Sequence, residues 1–178
     1  PTGVTRTLCT PYEMMPAKFI HQTCLQATSG DVYKWHENPS ALQRLSPRNG
    51  SVEIIKPALL SQGSIAHLRI LFLGNLLHID WMAELEHVRP GREFSDRQLK
   101  GPFKMWKHRH IFIPTSVNNC IMRDEIEFVV PGGTWVHSIL APLILKKIQR
   151  VFIDRHRVLI EEFGEGQPDL FNANVTNN

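Results

Sequence analysis

The feature that most constrains this chain is a change of hydrophobic period. From Ser51 to Val130 apolar and polar residues alternate, with turn residues between the runs; after Pro131-Gly132-Gly133 the spacing becomes helical. Alternation of this kind predicts strands at about 51–57, 63–73, 76–88, 93–100, 103–114 and 119–130. The reversals fall at Gly63, Gly74-Asn75, Pro90-Gly91, Gly101-Pro102 and Asn118-Asn119, where Gly and Asn tolerate positive φ and Pro presets a turn. Short turns between such runs make an antiparallel meander. Upstream, Phe19 to Thr28 reads as a further strand. Asp31 to Leu45 reads as two short helices, broken at Asn38-Pro39 and ended by Ser46-Pro47.

Beyond the glycine pair, Leu140, Ile144, Ile148, Phe152, Leu159 and Phe163 recur at helical spacing, while Lys146, Lys147, Arg150, Arg157, Glu161 and Glu162 occupy other faces. Pro142 lies near enough the start to be a first-turn or kink residue. A helix with one apolar stripe, next to a sheet with one apolar face, must bury the stripe there. The expected class is α+β: a curved antiparallel sheet of about seven strands wrapped around one long C-terminal helix, with two short helices after the first strand.

A chain of 178 residues suffices for one domain and its core. The domain is expected over 17–163, between flexible segments at 1–16 and 164–178 that carry Pro, Gly, Thr and Asn without period. The net charge of +3 is spread among acids without a basic run, so nucleic acid is not an expected partner. The longest apolar stretch, Leu68 to Ile79, is interrupted by Arg69, Gly74 and Asn75, so no stable membrane insertion is expected. Cys9, Cys24 and Cys120 lack the spacing of a disulfide framework or zinc site, which points to a reducing, cytoplasmic setting. No metal or other cofactor is expected.

Side-chain parity then selects candidates, because alternate residues of a strand face opposite ways. Between Phe103 and Pro114, Lys107 and Arg109 suit water, leaving Trp106, His108, His110 and Phe112 inside. Between Asn119 and Val130, Arg123, Glu125 and Glu127 suit water, leaving Met122, Asp124, Ile126 and Phe128 inside. If the two strands pair, Asp124 comes beside His110 or His108, giving a buried carboxylate an imidazole partner. Three readings follow for this trio: a satisfied polar patch that fixes register, a site that orients a ligand or moves protons, or, as the least of the three, a metal site. Trp81 and Ala83, with Ile79, Leu68, Ile70 and Phe72, also face inward. Asp96 and Gln98 are either cavity polar groups or solvated edge residues. His36 either caps a cavity mouth or packs, and Arg155-His156-Arg157 reads as a solvated face with local salt links.

These residues together resemble the SRPBCC superfamily, whose helix-grip proteins include START domains, polyketide cyclases and the birch-pollen-allergen group. The carrying residues are Trp35-His36-Glu37 with Pro39, Leu42, Leu45 and Pro47; Trp81 with Ala83 and Glu84; Phe94, Asp96 and Gln98; Gly101-Pro102-Phe103 with Trp106, His108, His110 and Phe112; Asp124, Glu127, Phe128 and Pro131-Gly132-Gly133; and Arg155-His156-Arg157. The resemblance is nearest to the polyketide cyclase/dehydrase-like ligand-binding branch and implies a cavity between sheet and helix, without implying a reaction. The expected function is to bind a hydrophobic small molecule, such as a lipid, polyketide or isoprenoid. Trp81, Trp106, Phe112, Phe128, Ile148 and Phe152 would form the apolar walls, with His108, His110 and Asp124 as the polar group. The alternative is a cyclase- or dehydrase-like enzyme in which the same trio does acid/base chemistry.

Overall fold

A computed structural model describes residues 14–47, 51–72 and 76–167. The order is β1 (Ala17–Leu25), α1 (Ser29–Glu37), α2 (Pro39–Leu45), β2 (Val52–Lys56), β3 (Ile65–Phe72), β4 (Leu77–Arg89), β5 (Glu93–Lys100), β6 (Met105–Pro114), β7 (Cys120–Val129) and α3 (Gly133–Phe163). Every element is one that period and turn chemistry predict, within two or three residues at most ends. The Gly74-Asn75 reversal, Cys9 and nearly all of the two terminal segments fall outside the described residues.

All seven strands form one antiparallel sheet in the order β1-β7-β6-β5-β4-β3-β2. The hairpins of the meander run from β2 to β7, and β1 closes onto β7. The two short helices fill the long connection from β1 at one edge to β2 at the other. Each begins at a side-chain cap: Thr28 Oγ1 accepts the Asp31 N–H and Asn38 Oδ1 accepts the Ser40 N–H. Pro39 at the start of α2 has no N–H to leave unpaired.

Two local devices fix corners of the chain. Gly132 and Gly133 take φ of 100° and 90°, a left-handed pair that side chains disfavour, and the chain leaves β7 for α3 there. Across this corner His137 Nδ1 accepts the Val130 N–H at 3.1 Å. At the β5–β6 reversal the Gln98 side chain accepts from the Phe103 N–H and donates to its carbonyl. A Cβ on Gly101 would stand 2.2 Å from Gln98 Oε1, so only glycine admits this clamp.

α3 lies along β1 and buries Ala141, Ile148, Phe152, His156 and Leu159. Leu140, expected on the stripe, is 38% exposed, because Ala141 takes the inward position one residue on. Pro142 sits well inside the helix. After α3 the chain returns to β1: Glu165 bridges Leu25, and the Gly166 N–H donates to the Cys24 carbonyl. No described helix is long and apolar enough to cross a membrane.

Candidate functional site

The core is divided in two. Leu25, Val32, Tyr33, Phe94, Phe112, Met122 and Leu159 form one cluster, toward the C-terminal end of α3. Ile126, Phe128, Val130, Ala141, Ile148 and Phe152 form the other, with Trp106 and Phe103 packed against it. His108, His110, Asp124 and His156 are the buried polar residues at the middle of the inner sheet face and α3.

Asp124 is the hub of this group. The register pairs it with His110, as parity predicts. Its Oδ1 lies 3.0 Å from His108 Nε2 and 2.8 Å from His110 Nδ1, the second approach being too bent for a well-aligned hydrogen bond. Its Oδ2 lies 2.7 Å from His156 Nε2, whose other nitrogen meets Thr23 Oγ1 at 2.8 Å. A carboxylate only accepts, so His108 Nε2 and His156 Nε2 carry the protons. Burial alone would raise the Asp124 carboxyl, but the three imidazoles outweigh it and hold the group well below the usual carboxylate range. His108 and His110 are lowered as well, but there burial prevails, against the pull of Asp124.

Asp96 settles the alternatives left open for it. It faces inward beside His108, its register partner, with Oδ2 3.6 Å from His108 Nδ1 and 4.0 Å from His110 Nε2. Burial pushes its carboxyl up to about 6. Arg155 is nearby and half-buried: Nε donates to the Leu45 carbonyl at 3.0 Å and the guanidinium lies 4.9 Å from the Phe152 ring centre. Its burial lowers its pKa, while Asp124 and Asp96 raise it. His36 packs against Phe112 and His110, with Nδ1 2.8 Å from the Val32 carbonyl, and burial takes it down to about 4.

The cluster Arg155-His156-Arg157 is therefore split. Arg157 makes the expected local pair with Asp154, but His156 is 2% exposed and Arg155 turns inward. Sequence reasoning missed His156 and Thr23. A signal existed for His156, which follows Phe152 by four residues and so continues the stripe through Ile148.

Of the six apolar residues expected to form the walls, five come together. Trp81 and Trp106 meet edge to face at 5.0 Å, Trp106 lies 6.1 Å from Phe128, and Phe128 packs in one cluster with Ile148 and Phe152. Phe112 lies in the other cluster, against Tyr33 and Phe94. On the inner faces of β3 and β4, Leu68, Ile70, Ile79 and Trp81 are only half-buried. A separate open groove of about 950 Å³ runs between α2, β2 and α3, with Gln43, Arg44, Val52, Ile54 and Val158 in its walls; none of the six lies there.

The family described as Domain of unknown function (DUF8410) matches residues 46–163. No curated protein matches the chain. Solved structures do. The Zhui aromatase/cyclase from Streptomyces sp. R1128 aligns at 14% identity and TM-score 0.62, over 83% of this chain and 93% of its own. A norcoclaurine synthase point mutant from Thalictrum flavum aligns at 18% and 0.60, over 83% and 96%. Ara h 8.0201 aligns at 8% and 0.58, over 82% and 99%. At such identities the likeness is one of fold, and the fold is the helix grip.

Proposed function

Since the chain belongs to the family described as Domain of unknown function (DUF8410), which assigns no activity, we propose from the site itself that it binds a hydrophobic small molecule between sheet and C-terminal helix. The carrying observation is the half-buried inner face of β3 and β4. Leu68, Ile70, Ile79 and Trp81 turn toward the interior, yet α3 lies along β1 at the other edge and leaves them partly exposed. An apolar wall on the concave side of a sheet favours a guest, because removing it from water contributes roughly 25 cal/mol per Å² before ordering costs. Trp106, Phe128, Ile148 and Phe152 continue that wall, and Asp96 with the two histidines supplies polar groups at its inner end. Lipid-, polyketide- or isoprenoid-like molecules have the required mix of apolar body and polar handle.

Native mass spectrometry of gently purified protein, with a hydrophobic fluorescent probe as competitor, tests this reading. A co-purifying small molecule, or probe binding weakened at least tenfold by Trp81→Ala with the melting transition retained, is the expected result. An empty protein that also ignores the probe overturns it.

An enzyme of the cyclase or dehydrase kind is the second reading, favoured by the bare His108 Nδ1 beside Asp96, with His110 Nε2 4.0 Å from the same carboxylate. On that reading His108→Gln and His110→Gln abolish turnover while leaving guest binding within a few-fold.

A further inference from the structure

We infer that Asp96, His108 and His110 form a binding site for a divalent transition-metal ion, with Asp124 orienting both imidazoles from behind. The inference does not rest on guest binding, although the same three side chains serve there as the polar end of the apolar wall.

The argument begins with protons. His108 Nε2 donates to Asp124 Oδ1 at 3.0 Å, which leaves His108 Nδ1 a bare lone pair. His110 Nδ1 stands 2.8 Å from the same oxygen but off the hydrogen-bond line, so either nitrogen of that ring can carry its hydrogen, and Nε2 is bare in one of the two tautomers. His108 Nδ1 and His110 Nε2 lie 3.6 and 4.0 Å from one oxygen, Asp96 Oδ2. Electron-rich atoms of three residues thus converge in a largely buried place; Arg155, the positive charge nearby, has its Nε on the Leu45 carbonyl, and a cation among the three would relieve their mutual repulsion.

A shared proton fits these distances poorly, because a hydrogen bond would draw the partners to roughly 3.2 Å or less. An ion fits better. Donors at about 2.1 Å from a metal stand about 3.0–3.4 Å from one another, depending on the angle between them. One ligand atom from each of the three residues lies within 4.8 Å of the others, so side-chain movements of up to about 1.4 Å, within reach of rotation about χ1 and χ2, complete the set. Two imidazoles and one carboxylate suit the borderline first-row divalent ions over magnesium or calcium, which prefer oxygen.

The surroundings match. Metal-bound histidines usually donate their second N–H to a carboxylate, which fixes ring orientation; Asp124 Oδ1 accepts in this way from His108 and stands 2.8 Å from His110 Nδ1. His156 and Thr23 hold Asp124 in turn. The Asp96 side chain is 18% exposed against 6% for His108, so Asp96 marks the side from which an ion enters. A bound ion would occupy the nitrogens that the acid/base reading uses, so one nitrogen cannot serve both roles at once.

The test uses the full chain, stripped with a chelator and with organic solvent extraction of any guest, then titrated with zinc alone in a calorimeter and with cobalt alone in a visible spectrometer. One zinc per chain, a higher melting temperature with zinc, and cobalt absorption bands of nitrogen–oxygen coordination are expected. Asp96→Asn, which keeps the side-chain shape, and His110→Gln should each weaken zinc binding at least tenfold, and Asp96→Asn should retain the melting transition of the metal-free protein. No stoichiometric zinc binding, or binding unchanged in Asp96→Asn, overturns the site. A protein that binds zinc but never a hydrophobic guest would leave this site standing and remove only the guest-binding proposal.

Discussion

At the scale of single residues, Asp124 determines what the interior can tolerate. A buried carboxylate without partners would cost several kcal/mol or take up a proton, whereas here three imidazoles surround it. Asp124→Asn removes the charge and places an amide N–H₂ against ring N–H groups, leaving donors unpaired. We expect a loss of about 1–3 kcal/mol in urea unfolding. Adding His156→Gln should cost less than the sum of the two single changes, by about 0.5–3 kcal/mol, because the two residues share one interaction. Strict additivity would show that His156 contributes packing alone. Part of this hub is legible in sequence: strand parity turns His108, His110 and Asp124 inward, and register then makes them neighbours. Asp96 was readable only as a choice between inside and outside, since its strand has little apolar content to mark a face.

At the scale of elements, the period of α3 locates it, but not its every contact. Its buried face runs through His137, Ala141, Ile148, Phe152, His156 and Leu159, a stripe that includes two histidines that hydropathy alone excludes. Inside it, Pro142 lacks the N–H that would donate to the Ser138 carbonyl, and the residue is exposed. Pro142→Ala restores that hydrogen bond without disturbing the core. It should therefore stabilise the protein by about 1–3 kcal/mol, after the greater freedom of the unfolded alanine chain is subtracted. A lower melting temperature for the variant would mean that the break in the ladder is needed to seat α3 against β1. The Gly132-Gly133 pair could be read as a stop directly from sequence, whereas the His137 contact that locks the corner could not, because it joins residues on two elements.

At the scale of the whole molecule, the outer face of the sheet is a net of paired charges. Arg109 bridges Glu93 and Glu125 at 2.8 and 3.0 Å, joining three adjacent strands, while Arg97 meets Glu84 and Lys100 meets Asp80 across β4 and β5. The Arg109 hydrogen bond holds the Glu93 carboxyl below its ordinary 4.5, against burial. A depressed carboxyl binds its proton later in the folded than in the unfolded state. Its contribution is thus complete above pH 4.5 and is lost as the pH falls through the lower folded value. Glu93→Gln should flatten the acid limb of the stability–pH curve, by no more than about 1 kcal/mol given the half-exposed arginine, and high salt should reduce the difference. An unchanged acid limb would show that the pair adds nothing to stability.

The same scale separates what the chain states from what the fold adds. Period, turn residues and caps are local quantities, each written within a few adjacent positions, so seven strands, three helices, their order and the apolar side of β3, β4, β6 and β7 could be read from the chain alone. The convergence of Asp96 on β5, His108 and His110 on β6, Asp124 on β7, Thr23 on β1 and His156 on α3 belongs to no local window. It arises when the curve of the sheet and the docking of α3 set six side chains within reach of one another. That placement is a three-dimensional distance, which no one-dimensional spacing encodes, and so only the tertiary structure decided where the polar centre lies and which atoms in it remain unpaired.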